Sequence, residues 1–148
     1  MVAADADIAQ AASGIARAAL FNAGQDCASA CRVIVDRSAH DAFVAALTEE
    51  AKGLTTGDPE DSSVFFGPLN SAAQLARVQE HLHALPPHAQ VVTGGEALPG
   101  PGYFHQPTVV TGLRQHDRAI QEEIFGPVIT VQPSSSDEEA LRLANDVP

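Results

Sequence analysis

Short runs of β-branched residues alternate along this chain with apolar stripes at helical spacing. Four runs have the length and composition of buried strands, at 32–36, 90–93, 108–111 and 129–131. Around them, apolar residues recur every three to four positions, as in amphipathic helices, over Ile8–Leu20, Phe43–Leu54, Leu75–Leu85 and 138–144. Strands that alternate with helices predict an α/β fold with a mainly parallel sheet flanked by helices.

Polar caps and turn residues set the expected helix boundaries. The expected N-terminal caps are, in chain order, Asp5 or Asp7, a residue within 38–41, Asn70 or Ser71, and Asp137. Asn22 and Gly24 tolerate positive φ and are expected to end the first helix. The Gly- and Pro-rich segment 96–107 is expected to be irregular.

Composition excludes several classes of partner. The chain has 148 residues and a net charge of −11, from 8 Lys and Arg against 19 Asp and Glu. This deficit of cations argues against nucleic-acid binding and against an anionic membrane surface. No apolar run reaches the length of a membrane span, and residues 1–8 do not resemble a signal peptide. With only two cysteines, we expect no disulfide framework and a cytoplasmic location.

The segment 21–32 contains the first candidate for chemistry, Cys27, shortly after the expected helix end at Gly24. A loop cysteine can be exposed, and nearby backbone N–H groups would favour its thiolate and stabilise an oxyanion. The residues alone leave two readings open, a nucleophile or a small buried apolar residue. Cys31 lies four residues further on, where packing, a metal pair or a redox pair is conceivable.

The second candidate segment is 121–128, in which Glu122 and Glu123 precede a Gly-Pro step into a strand. Adjacent acids at such a position could accept hydrogen bonds from the two hydroxyls of a ribose. They could equally be two solvated carboxylates on a turn. The six histidines are scattered, and the sequence shows no phosphate loop and no spacing that predicts a metal site.

Taken together, the two segments resemble the aldehyde dehydrogenase superfamily. The run 22–27, Asn-Ala-Gly-Gln-Asp-Cys, is followed about a hundred residues later by Glu-Glu-Ile-Phe-Gly-Pro at 122–127. Further segments fall in family order, namely 57–59, 67–69, 94–95, 102–104 and 107–109. The resemblance covers essentially the whole chain and implies the fold of that family's catalytic domain.

The resemblance implies roles for three residues. Cys27 matches the family's nucleophile, which attacks the aldehyde to give a thiohemiacetal and then a thioester. Glu123 matches the acid that holds the nicotinamide ribose of NAD or NADP, and Phe125 matches the aromatic that lies against the nicotinamide side of the cofactor. The implied substrate is a small aldehyde, and full-length relatives are expected to be homo-oligomers.

The resemblance also implies that residues 1–148 form a partial catalytic domain. The family's general-base glutamate, its oxyanion-hole asparagine and its cofactor-binding domain would lie before Met1, and the rest of the catalytic domain after Pro148. The isolated chain is therefore expected to be inactive. An alternative from another class is a non-catalytic stand-alone binding or thiol module that keeps the fold.

Within the family, the run around Asp26 and Cys27 looks most like aminobutyraldehyde dehydrogenases. A carboxylate beside the nucleophile could attract the ammonium group of a small aminoaldehyde. Asp26 could instead cap a turn or pair with Arg32.

Overall fold

The computed structural model describes all 148 residues as an α/β fold of four strands and five helices. In chain order the elements are α1 (Ile8–Leu20), β1 (Arg32–Asp36), α2 (His40–Gly53), α3 (Ala72–His83), β2 (Gln90–Thr93), β3 (Thr108–Thr111), α4 (Arg118–Gln121), β4 (Val128–Ser134) and α5 (Asp137–Asn145). The predicted fold class, a mainly parallel sheet flanked by helices, is confirmed.

The four strands form one sheet in the order β1-β4-β3-β2. β4 is central and pairs in parallel with both neighbours, so that Val33 lies opposite Val131 and Ile129 opposite Val109. β2 pairs antiparallel with β3 at one edge. At the other edge, Val2 adds a parallel bridge to β1. Six of the seven residues of β4 are buried, including the polar Thr130, Gln132 and Ser134, because the central strand is covered on both faces.

The helices cover the sheet unequally. α1 and α2 pack together on one face, and their fully buried side chains include Ala12, Ala16, Phe43 and Leu47. Alanines along α1 allow the close approach to α2, since small side chains bring helix axes together. On the opposite face, α5 buries Ala140 and Leu143 against Ile34 of β1. No helix combines the length and apolarity that a bilayer crossing requires.

Two predicted helix caps are confirmed and two are wrong. Asp7 caps α1, and Ser71 caps α3 by accepting a hydrogen bond from the Gln74 N–H at 3.2 Å. For α2, the capping position falls on Ala39, which has no side-chain acceptor, because Ser38 donates instead to Asp36. For α5, the cap is Ser136, and Asp137 is the first helical residue. In this last case a hydroxyl one position earlier takes the role.

Candidate active site

The turn before Cys27 is built by the side chains of its own motif. α1 ends at Leu20, and a single 3₁₀ segment, Phe21–Gly24, reverses the chain. Asn22 and Gly24 both adopt positive φ, as predicted for the end of the first helix. The Asn22 side chain donates to the Gln25 carbonyl at 3.0 Å, and the Gln25 amide donates to the Asn22 carbonyl at 3.1 Å.

Cys27 lies at the exposed tip of this turn as a free thiol. The Asp26 carboxylate accepts from the Ala28 N–H at 2.9 Å, and the Ser29 hydroxyl donates to the Ala19 carbonyl at 3.1 Å. The hydrogen bonds of the turn therefore come from Asp26 and Ser29, and none of them involves the Cys27 thiol. The structure thus presents the sulfur to solvent on an ordered loop.

The Asp26 carboxylate caps the turn, which is one of the two structural roles expected for it besides a contact with the substrate. Its pairing with Arg32 is not observed. The Arg32 guanidinium instead donates to the Leu143 carbonyl at 2.8 Å and to Gln115 at 3.1 Å. Arg32 therefore connects β1 to the end of α5.

The two adjacent glutamates have different environments. Glu122 accepts from Arg118 Nε at 2.8 Å, and Arg118 also donates to Glu80 at 2.7 Å. The Arg118 guanidinium lowers the pKa of the Glu122 carboxyl by hydrogen bonding and by charge. Glu123 is exposed, and its carboxylate has no hydrogen-bond or ion-pair partner in the chain. The second acid of the pair is therefore the one free to bind a ligand.

Glu123 and Phe125 line the same cavity, of about 250 Å³, between α4 and the start of β4. Cys31 and Arg32 line it as well, whereas Cys27 does not. Burial raises the pKa of the Cys31 thiol, and the nearby Glu123 carboxylate raises it further. The structure therefore separates the cysteines: Cys27 is exposed, while Cys31 is half-buried. No cluster of three or more metal-ligating side chains is present.

The Cys27 turn and the Glu123 segment touch each other through two glycines. A Cβ on Gly24 would overlap the carbonyl oxygen of Gly126, so only glycine fits at position 24. Gly126 in turn lies against Val78 of α3, with no room for a side chain between them. The two motifs are about a hundred residues apart in sequence but share a backbone contact.

Backbone strain is concentrated in these two segments. The chain has three non-glycine residues with positive φ, and they are Asn22, Ala23 and Phe125. Each such residue costs roughly 1–2 kcal/mol, and strain of this kind clusters at functional sites. The sequence predicted the positive φ of Asn22 and selected Phe125 for another reason, but it gave no signal for Ala23, whose type disfavours this conformation.

Comparison with known proteins gives a consistent family. A sequence profile described as "Aldehyde dehydrogenase family" matches residues 1–148. The 2-hydroxymuconic semialdehyde dehydrogenase of Pseudomonas putida is 41% identical over 154 residues, and this chain covers 32% of its length. The betaine aldehyde dehydrogenase of Bacillus subtilis is 37% identical over 147 residues, with 30% of its length covered. The chain thus spans about a third of the length of the curated relatives it matches.

Solved structures agree with the sequence relatives. The lactaldehyde dehydrogenase of Escherichia coli superposes with a TM-score of 0.95 at 38% identity, over 99% of this chain and 31% of that one. An NAD⁺ complex of an aldehyde dehydrogenase from Bacillus cereus superposes with a TM-score of 0.93 at 35% identity, over 99% of this chain and 30% of that one. The names of these relatives specify several different aldehydes. The profile match over the whole chain and these identities establish that the chain belongs to the aldehyde dehydrogenase family.

Proposed function

We propose that residues 1–148 contribute the nucleophile and the nicotinamide-ribose contact of an enzyme that oxidises an aldehyde to a carboxylate with NAD or NADP. One observation carries the proposal. The Glu123 carboxylate, which has no partner within the chain, lies beside the strained Phe125 in a segment that touches the turn bearing Cys27. A free acid, an aromatic ring and an exposed thiol are thus held on one packed scaffold.

The residues present suit the nicotinamide half of the cofactor. A ribose offers two neighbouring hydroxyl donors, and Glu123 offers two acceptor oxygens that no residue of the chain occupies. Phe125 would supply an apolar surface beside the ring. The bound nicotinamide would accept a hydride from the substrate carbon. Related aldehyde dehydrogenases have been solved in complex with NAD⁺.

Cys27 would carry the covalent chemistry. Its sulfur attacks the aldehyde carbon, so that a C–S bond forms and the carbonyl oxygen becomes an oxyanion. The backbone N–H of Cys27 has no acceptor within the chain and is free to donate to that oxyanion. Loss of hydride from the same carbon leaves a thioester on Cys27, and hydrolysis releases the carboxylate and the thiol.

Four variants in two matched pairs test the proposal in the natural gene product that includes residues 1–148. Cys27→Ser should reduce NADH formation to background, because a serine hydroxyl is a far weaker nucleophile. Cys31→Ser should retain activity. Glu123→Gln should raise KM for NAD about 10- to 100-fold, since it removes a charged hydrogen bond of roughly 1.5–3 kcal/mol. Glu122→Gln should not change that KM.

Each pair has an outcome that opposes the proposal. If Cys31→Ser removed activity and Cys27→Ser did not, the nucleophile would be the half-buried Cys31. If Glu122→Gln weakened cofactor binding as much as Glu123→Gln, the effect would come from the Arg118 network rather than from a ribose contact. If the unaltered protein formed no NADH with any aldehyde, a non-catalytic role of the fold would be favoured.

We propose further that the substrate is a small aldehyde with a cationic group, such as 4-aminobutanal. Asp26 is acidic and adjacent to Cys27, and only its Oδ1 is used in capping the turn. One relative is named for betaine aldehyde, which is also cationic. Asp26→Asn keeps a side-chain oxygen for the cap and removes the charge. It should lower the preference for 4-aminobutanal over butanal by up to about fivefold, since an exposed ion pair contributes at most about 1 kcal/mol. An unchanged ratio of kcat/KM values would remove the basis for this substrate class.

A further inference from the structure

Helix α3 holds the backbone of the Glu123 segment with two side chains. The Gln74 amide Nε2 donates to the Ile124 carbonyl at 3.0 Å and to the Phe125 carbonyl at 2.7 Å. Arg77 donates to the carbonyl of Glu123. Three consecutive carbonyls, 123–125, are therefore bound by one face of one helix.

The geometry follows from helix spacing and from the strained loop. Gln74 and Arg77 are three residues apart and so point in similar directions from α3. The segment 122–127 lies between α4 and β4, and no backbone N–H donates to these three carbonyls. As acceptors they need donors from elsewhere, which Gln74 and Arg77 provide. The positive φ of Phe125 is therefore kept in place by contacts from outside the loop.

The start of the same helix also meets the Cys27 turn. Gln25, within the Gly-Gln-Asp-Cys motif, accepts a hydrogen bond from the Asn70 N–H at 2.9 Å, directly before the Ser71 cap of α3. Helix α3 thus contacts the loop that bears the free carboxylate, and the residue just before its cap contacts the turn that bears the thiol.

We propose that Gln74 is a positioning residue that sets the orientation of Glu123 toward the nicotinamide ribose by fixing the Ile124 and Phe125 carbonyls. Gln74 acts through the backbone and does not itself touch the reacting atoms. Arg77 supports the same loop from the next turn of the helix. The expected effect on catalysis rests on the proposed function. The contact between Gln74 and the loop does not depend on it.

Helix α3 offers a matched control in a second glutamine. Gln79 is also half-buried, but its amide lies 2.7 Å from the ring Nε2 of His105 and 3.4 Å from the Gly95 carbonyl, away from the Glu123 segment. Gln74→Met and Gln79→Met each replace a glutamine by an uncharged side chain of similar length. Gln74→Met removes the donor to the Glu123 segment, whereas Gln79→Met removes the contacts with Gly95 and His105.

The test uses the natural gene product that includes residues 1–148. Gln74→Met should raise KM for NAD about tenfold, with a smaller change in kcat, since two hydrogen bonds of modest net strength are lost from the loop. Gln79→Met should leave that KM unchanged. The rate at which iodoacetamide alkylates Cys27 without cofactor, measured by peptide mass spectrometry, should be equal in both variants and in the unaltered protein.

Hydrogen exchange provides a readout that does not require activity. Gln74→Met should accelerate amide exchange across 122–127, whereas Gln79→Met should accelerate it across 94–106. Should Gln74→Met fold poorly, Gln74→Glu keeps the shape of the side chain, lacks both amide donors and should give the same local acceleration.

The outcomes separate the two proposals. An equal rise in KM for both methionine variants, or unchanged exchange across 122–127 in Gln74→Met, would overturn the positioning role. Absence of any NAD-dependent oxidation by the unaltered protein would instead overturn the proposed function, and the exchange data would still decide whether Gln74 holds the loop.

Discussion

At the scale of single residues, the candidate site depends on two positions where only a glycine fits. Gly24 has a φ of 70° and lies against the Gly126 carbonyl, and Gly126 lies against Val78. The first contact brings the exposed Cys27 turn and the Glu123 loop together without any side chain between them. A side chain at Gly24 would force the two motifs apart, and one at Gly126 would displace Val78 of α3.

Gly24→Ala should therefore lower the free energy of unfolding by more than about 1 kcal/mol. The left-handed conformation alone costs roughly 1–2 kcal/mol for an alanine, and the overlap with Gly126 adds to it. Gly14→Ala is the control, because Gly14 lies in α1 with open space around it, and alanine there should raise stability by roughly 0.5–1 kcal/mol. Urea denaturation measures both. Equal stability of the two variants would show that the close contact between the motifs is absent in solution.

At the scale of elements, the long periodic segments could be predicted from the sequence, whereas a very short helix and the full length of the central strand could not. The stripes of α1, α2 and α3 and the β-branched runs of β1, β2 and β3 gave the right elements, because burial of one face imposes a period on the sequence. α4 has only four residues, too few to show a period. The expected strand ends at Val131, but β4 continues to Ser134. Pro133 is tolerated within the strand, and beyond it the Ser134 carbonyl still accepts a hydrogen bond from the Arg37 N–H at 2.8 Å.

The candidate site shows the same division. The residue types Cys27, Glu123 and Phe125 could be selected from the sequence, but their environments could not. That Glu122 is paired with Arg118 while Glu123 is free depends on where α4 places each carboxylate. The contacts of Gln74 with a loop fifty residues away are side chain to backbone, so they leave no pattern in the sequence. The inclusion of Cys31 in the Glu123 cavity likewise follows from the sheet, where the Cys31 carbonyl accepts from the Thr130 N–H at 2.8 Å.

At the scale of the whole molecule, the chain has one packed core, whereas the proposed reaction needs more groups than the candidate site shows. Twenty-five buried residues form one apolar cluster across α1, α2 and the sheet, which supports a folded unit. The proposed thioester hydrolysis, however, would call for a general base near Cys27. The one carboxylate in the hydrogen bonds of the Cys27 turn, Asp26, is used to cap the turn, and the chain spans only 30–32% of the length of the relatives quoted above.

We therefore expect the 148-residue chain on its own to produce no NADH from NAD and butanal or 4-aminobutanal, although Cys27 should still be alkylated by iodoacetamide. Alkylation tests whether the exposed thiol and its turn are present, and circular dichroism tests whether the helices and sheet have formed. NADH fluorescence over repeated turnovers measures the activity itself. Sustained NADH formation that disappears in Cys27→Ser would contradict this expectation, because it would mean that these residues alone supply the base and enough cofactor contacts. Alkylation of a folded but inactive chain would instead place the remaining catalytic groups outside residues 1–148.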